Sequence, residues 1–114
     1  MIKVIVERKV KPESAEEYHL RKAQLLACCG TGPGYLSGET WTAVNDPRIE
    51  IAATTWKSRH HWENWANSES GKNITQSLES LLEKPAEVTI YQLTEGPEVH
   101  WDAQLPYDIC APIV

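Results

Sequence analysis

Between residues 2 and 93 the apolar positions switch from a period of two to a helical period and back, twice over, and few folds accept that order. Ile2, Val4, Val6 and Val10 alternate with Lys3, Ile5, Glu7 and Lys9, which predicts a strand over 2–10. Lys11-Pro12-Glu13 breaks it, and Ser14 followed by Glu17 has the spacing of a capping box, so a helix is expected to begin there. Its first turn is acidic (Glu13, Glu16, Glu17) and its middle basic (Arg21, Lys22), the order the helix dipole favours. It should end near Cys29, before the breaker Gly30-Thr31-Gly32-Pro33-Gly34.

Strands over 35–44 and 48–57 follow, separated by the turn Asn45-Asp46-Pro47; in the second, Ile49, Ile51, Ala53 and Thr55 share a face. Ser58 can cap a helix over 59–67. Ser68 can cap another over about 70–83, with Gly71, Ile74, Leu78, Leu81 and Leu82 at helical spacing and Lys84-Pro85 as its stop. A last strand covers 86–93, Val88 and Ile90 facing one way. The order β-α-β-β-α-β is that of a split βαβ arrangement, an α+β fold.

The off-core face of this sheet is expected to carry Ile5, Tyr35, Trp41, Ala43, Ala52, Thr54, Trp56, Thr89, Tyr91 and Leu93. That is too apolar to face water, and in a chain of 114 residues, one domain's worth, the cover is expected from a second copy in a two-fold dimer. Residues 94–114 form an extension after the 1–93 domain. Its prolines forbid a long helix, yet Val99, Trp101, Leu105, Tyr107 and Ile109 are too apolar for a free tail. Docking along the domain or its dimer partner is expected, with a lid over a pocket as the functional alternative.

Charge narrows the partners. Sixteen acidic against eleven basic residues give −5, which disfavours nucleic acid and anionic membrane surfaces, both of which select for basic patches. No stretch reaches the ~20 apolar residues of a membrane span. Met1 leads straight into the first strand pattern, so no secretory leader is expected; Cys28, Cys29 and Cys110 lack metal-type spacing and read as reduced thiols of a cytoplasmic protein.

Several segments, taken in order, resemble a known family. They are Lys9-Val10-Lys11-Pro12, Gly32-Pro33-Gly34-Tyr35-Leu36-Ser37-Gly38-Glu39-Thr40, Asn45-Asp46-Pro47-Arg48, Thr55-Trp56-Lys57-Ser58 and Trp62-Glu63-Asn64-Trp65-Ala66-Asn67-Ser68. The series resembles the antibiotic biosynthesis monooxygenase domain over residues 1–93. The resemblance implies a ferredoxin-like βαββαβ fold with an antiparallel sheet, paired as a dimeric α+β barrel, with a pocket between helices and sheet in each subunit. It also implies one of two chemistries. Some members oxidise polycyclic phenols or quinols with molecular oxygen and neither metal nor flavin; others degrade haem.

The haem-degrading pattern places an Asn on the first strand, a Trp on the second helical segment and a His ten residues later. Trp65 matches, but the Asn position falls on Val6 or Glu7 and the His position on Thr75, whose hydroxyl cannot replace an imidazole on iron. The oxygenase chemistry asks for less: a bound electron-rich aromatic, a base, and groups that stabilise the anion. His61 is one candidate base, because helical spacing sets His61, Trp62, Trp65 and Ala66 on one side. His19 is the other, near Ala15, Ala23, Leu26 and Ala27, with Tyr18 and Leu25 defining a competing face. Trp65, Trp62, Val6 and Leu26 are the expected substrate-binding residues. His60 and His61 are adjacent and diverge by about 100° on a helix, so no metal site is expected. The reading is a homodimeric, cofactor-independent oxygenase for an aromatic or quinol-like substrate. The alternatives are a non-catalytic binding module for a small hydrophobic ligand, and a haem binder using His19 or His61.

Overall fold

The computed structural model describes residues 1–96. The 94–114 extension therefore lies outside the described residues from residue 97 onward, and Cys110 with it. Strands β1 (Ile2–Lys9), β2 (Tyr35–Thr42), β3 (Ile49–Trp56) and β4 (Glu87–Gln92) are interspersed with helices α1 (Ala15–Cys29), α2 (Arg59–Ala66) and α3 (Glu69–Glu79). The four strands form one antiparallel sheet in the order β2-β3-β1-β4. Because β3 is inserted between β1 and β2, those two run parallel to each other. This is the ferredoxin-like α+β architecture.

The helices cover one face of the sheet. Near β1's C-terminal end, Val10, Tyr18, Leu25, Leu78 and Leu82 form one buried cluster, and Ile2, Val4, Cys29 and Trp56 form another. Trp65 packs against both and so joins them. A large apolar side chain stabilises the fold by about 1.5–3 kcal/mol when fully buried.

Element ends follow local chemistry. A single 3-10 turn, Pro12–Ser14, leads into α1, and the Ser14 side chain makes no capping bond, so the expected capping box does not form. The other two serines do cap: Ser58 accepts the His61 N–H and Ser68 accepts the Gly71 N–H. The α3 helix ends at Glu79, before Lys84-Pro85. Residues beyond it pair with the end of β1 instead: Lys11 N–H donates to Leu81 O and Glu83 N–H to Lys9 O, each closing a backbone bond that a longer helix would forgo.

Sheet parity corrects part of the expected outer face. Register pairs Val6 with Ala52, Val4 with Thr54 and Ile2 with Trp56, so Ala52, Thr54 and Trp56 lie under the helices. Ile49, Ile51, Ala53 and Thr55 take the outer face. A register shift between Tyr35 and Ser37 swings Tyr35 inward as well, where its ring meets Trp56 edge-on at 5.4 Å. Trp41, Tyr91 and Leu93 are exposed, as the outer-face expectation requires of them.

Candidate active site

Between the sheet and the helices lies a cavity of about 330 Å³. Its floor is Val4, Val6 and Arg8 of β1 with Ala52 and Thr54 of β3 and Val88 of β4. Leu26 and Cys29 of α1 and Trp62 and Trp65 of α2 wall it, and Lys72, Thr75, Gln76 and Glu79 of α3 line it as well, along with apolar contacts from Leu25, Ala66 and Ala86. All four expected substrate-contact residues, Val6, Leu26, Trp62 and Trp65, are thus brought together. Val6, Trp65 and Thr75, positions onto which the haem-degrading pattern maps, also meet here.

Trp65 is held from three sides. Its Nε1–H donates to the Cys28 carbonyl at 3.3 Å, and its ring lies 6.0 Å from that of Trp56. Its own carbonyl accepts the Ser68 hydroxyl at 2.6 Å. The junction between α2 and α3 is so close that a Cβ on Gly71 would overlap that carbonyl, so only glycine fits there. A wall held this firmly presents one ring orientation to a guest.

Neither histidine lines this cavity. On α2 the step from His61 to Trp62 turns about 100°, so the tryptophan faces the sheet and His61 faces the loop before β2. There Gly34, at φ +86°, leaves the space that the imidazole occupies. Ser58 Oγ accepts the His61 N–H at 3.2 Å and shares a 2.7 Å hydrogen bond with its Nδ1. His61 thus ties the β2 entry loop to the start of α2. On α1 the competing face prevails: Tyr18 and Leu25 are buried and His19 is exposed. His19 borders a separate cavity of about 290 Å³ with Val10, Pro47 and Glu50.

Sequence reasoning passed over a buried charge cluster. Arg8 and Glu50 are cross-strand partners on β1 and β3, and each is only 5% exposed. The Tyr18 hydroxyl donates to Glu50 Oε1, and Lys22 Nζ donates to Oε2 at 2.7 Å. Burial, reinforced by the bond to Glu50, raises the Tyr18 hydroxyl above its ordinary range, so it stays protonated. Burial likewise pushes the Cys29 thiol up to about 12, which leaves it a thiol rather than a nucleophile at neutral pH. One signal could have found Arg8: its parity places it between Val6 and Val10 on the apolar side of β1.

Among the described residues, no three His, Cys, Asp or Glu side chains gather to hold a metal ion. Nor is any helix among them long and apolar enough to cross a membrane.

Solved structures share this fold. A conserved protein from Methanosarcina mazei superposes with a TM-score of 0.76 at 24% identity, over 80% of this chain and 90% of that one. SnoaB, a cofactor-independent oxygenase from Streptomyces nogalater, superposes with a TM-score of 0.75 at 10% identity, over 85% and 96% of the two chains. A structure described as an antibiotic biosynthesis monooxygenase superposes at 0.74 with 17% identity, over 81% and 97%. No curated protein matches the sequence. The profile of the antibiotic biosynthesis monooxygenase family matches residues 1–76, from β1 into α3, a span that carries Val6, Leu26, Trp62 and Trp65. With two thirds of its length matched and the fold in agreement, the chain belongs to the antibiotic biosynthesis monooxygenase family.

Proposed function

We propose that this protein is a small oxygenase that holds a planar aromatic, quinol- or anthrone-like substrate in the sheet–helix cavity and reacts it with molecular oxygen without a bound cofactor. The cavity carries the reading. Its volume of about 330 Å³ suits a ligand of a few fused rings, its lining is mostly apolar, and Trp62 and Trp65 offer flat faces to stack on. Family membership and the likeness to SnoaB support the same chemistry. An ionised quinol or anthrone donates electrons to oxygen itself, so the protein's work is to orient it, exclude water and stabilise its anion.

The test is oxygen uptake by purified protein against a panel of anthrones and quinols. A general base contributes about 10²–10⁴-fold. Because His19 and His61 lie off the cavity, the double variant His19→Ala, His61→Ala is expected to lose far less than that lower bound. A loss within the range would restore one of them as the base. No uptake across the panel would remove the oxygenase reading.

One observation favours a second reading, a non-catalytic module for a small hydrophobic ligand: among the described residues no histidine lines the cavity, and the Cys29 thiol there is protonated. Tight binding of the same compounds without oxygen uptake would select it.

A homodimer formed through the outer sheet face belongs to either reading. Trp41, Tyr91 and Leu93 are 61%, 57% and 59% exposed on that face, beside Ile5, Ile49 and Ile51. Light scattering is expected to give twice the chain mass, and Ile51→Glu to halve it by placing a second carboxylate beside Glu7 in the contact. A wild-type monomer at tens of micromolar would end the proposal. Cys28 and Cys29 are free thiols, in keeping with a reducing, cytoplasmic setting.

A further inference from the structure

The Arg8 side chain is buried, yet among the described residues its Nη1 has no hydrogen-bond partner. The nearest carboxylate by register, Glu50, already accepts from the Tyr18 hydroxyl and from Lys22 Nζ. The cluster therefore holds two cations against one carboxylate. From α1 the groups around Arg8 are Tyr18, Lys22 and the Cys29 thiol, and α3 brings Lys72 and Glu79 to the same cavity. Tyr18 and Cys29 both stay protonated, so neither supplies the missing negative charge. A guanidinium deprived of water, whose cross-strand carboxylate is shared with a lysine, is under-compensated, and Glu79 stands at the exposed α3 side beside Lys72. Arg8 is also one of the residues lining the cavity, at the β1 floor beside Val6.

We infer that Arg8 is the receptor for an oxyanion carried by the cavity's aromatic ligand, so that the ligand binds in ionised form with its negative oxygen on the Arg8 guanidinium and its rings between Trp62, Trp65 and the valines of β1. The inference rests on the aromatic-substrate reading and deepens it, since it names the substrate class as an ionised hydroxyaromatic. It also supplies what the cavity lacks. A phenol or enol held against a buried guanidinium ionises at lower pH and gives its proton to water, so no side-chain base has to take it. A guanidinium remains cationic at any working pH, which suits it to this task better than a lysine. Arg8 differs in this from Lys72, whose exposed side chain at the α3 side is hydrated without a ligand.

The test uses the full chain and a hydroxyanthraquinone whose visible band moves to longer wavelength on ionisation. Bound to wild type, the dye is expected to ionise at least tenfold more readily than in solution, an apparent pKa lower by one unit or more. Arg8→Met is expected to abolish that shift and weaken dye binding by at least tenfold, while unsubstituted anthraquinone binds both proteins alike. Glu50 keeps Lys22 and Tyr18 in that variant, so the fold is expected to hold; Arg8→Lys, expected to restore part of the shift, guards against a misfolded Arg8→Met. A bound dye that keeps its neutral spectrum in wild type overturns the inference, as does failure of the dye to bind, or equal loss of dye and anthraquinone in Arg8→Met. A 2-naphthoate arm separates the sources of the oxyanion. Arg8-dependent binding of naphthoate but not of the dye would overturn the hydroxyaromatic class, with a carboxylate in its place. A shifted dye with no oxygen uptake from any anthrone or quinol would support the anion site and remove the oxygenase reading alone.

Discussion

Replacing Glu50 with alanine is expected to lower folding stability by about 3–5 kcal/mol, the range for removing one partner of a buried ion pair. The carboxylate sits between Tyr18, Lys22 and Arg8, and its side chain is 7% exposed. Without it Lys22, which is 17% exposed, can turn toward water, but Arg8 cannot. A buried guanidinium then remains with no carboxylate beside it. Against a typical total of about 5–15 kcal/mol, this is enough to leave a marginal domain. Urea unfolding monitored by circular dichroism should show the midpoint fall with the slope unchanged. Glu50→Gln keeps an acceptor for Tyr18 and should fall between wild type and alanine. A loss under about 1 kcal/mol, the worth of an exposed pair, would mean that the cluster is hydrated.

Trp56→Ala is expected to cost a similar amount, about 3–5 kcal/mol, for an unrelated reason. Among the described residues, Trp56 is the largest fully buried side chain. Tyr35 meets its ring edge-on and Trp65 lies 6.0 Å away, so truncation strips both rings of their aromatic neighbour and leaves a hole that Trp65 cannot fill without giving up its bond to the Cys28 carbonyl. Trp56→Phe should recover more than half of the loss. The same variants should loosen the cavity wall at Trp65, so affinity for aromatic ligands is expected to fall along with stability. Unchanged affinity in a destabilised Trp56→Ala would show that the bond to Cys28 and the Ser68 anchor position Trp65 without Trp56.

Strand and helix order was readable because periods of two and 3.6 leave different marks and because Ser58, Ser68, Pro12 and the glycine run punctuate them. Which side of a strand faces the helices was readable only where the two sides differ. In β1, Ile2, Val4 and Val6 against Lys3 and Glu7 settle it. In β3 both sides are apolar, and Glu50 resembles a solvent-facing charge, so Ile49 and Ile51 look like the core. The opposite holds because Glu50 finds Tyr18 and Lys22, 32 and 28 positions away along the chain but adjacent in space, and no local pattern announces such a pairing. Tyr35 eluded parity for a simpler reason, since one bulge reverses it.

The cavity walls were readable from the helical spacing of Trp62 and Trp65, while the histidine beside them was not. A single helical step separates a residue that faces the sheet from one that faces a loop, and sequence spacing does not resolve that step at a helix's first turn. Arg8 was legible in principle, as a charge on apolar parity. Its significance needed the structure, which shows that Glu50 is already committed to other donors.

The tryptophans divide by side of the sheet, and the division has an optical consequence. Among the described residues, Trp56, Trp62 and Trp65 lie on the helix side and Trp41 lies on the other. A coloured aromatic guest in the cavity would sit against Trp62 and Trp65 and drain their emission, which Trp56 feeds through the adjacent ring. Trp41, wet in the free chain, would instead shift its emission to shorter wavelength when a second copy covers it. If the cavity fills and the chains pair as proposed, the two events would leave separable signatures in the fluorescence of these four tryptophans, one a loss of intensity and the other a change of colour.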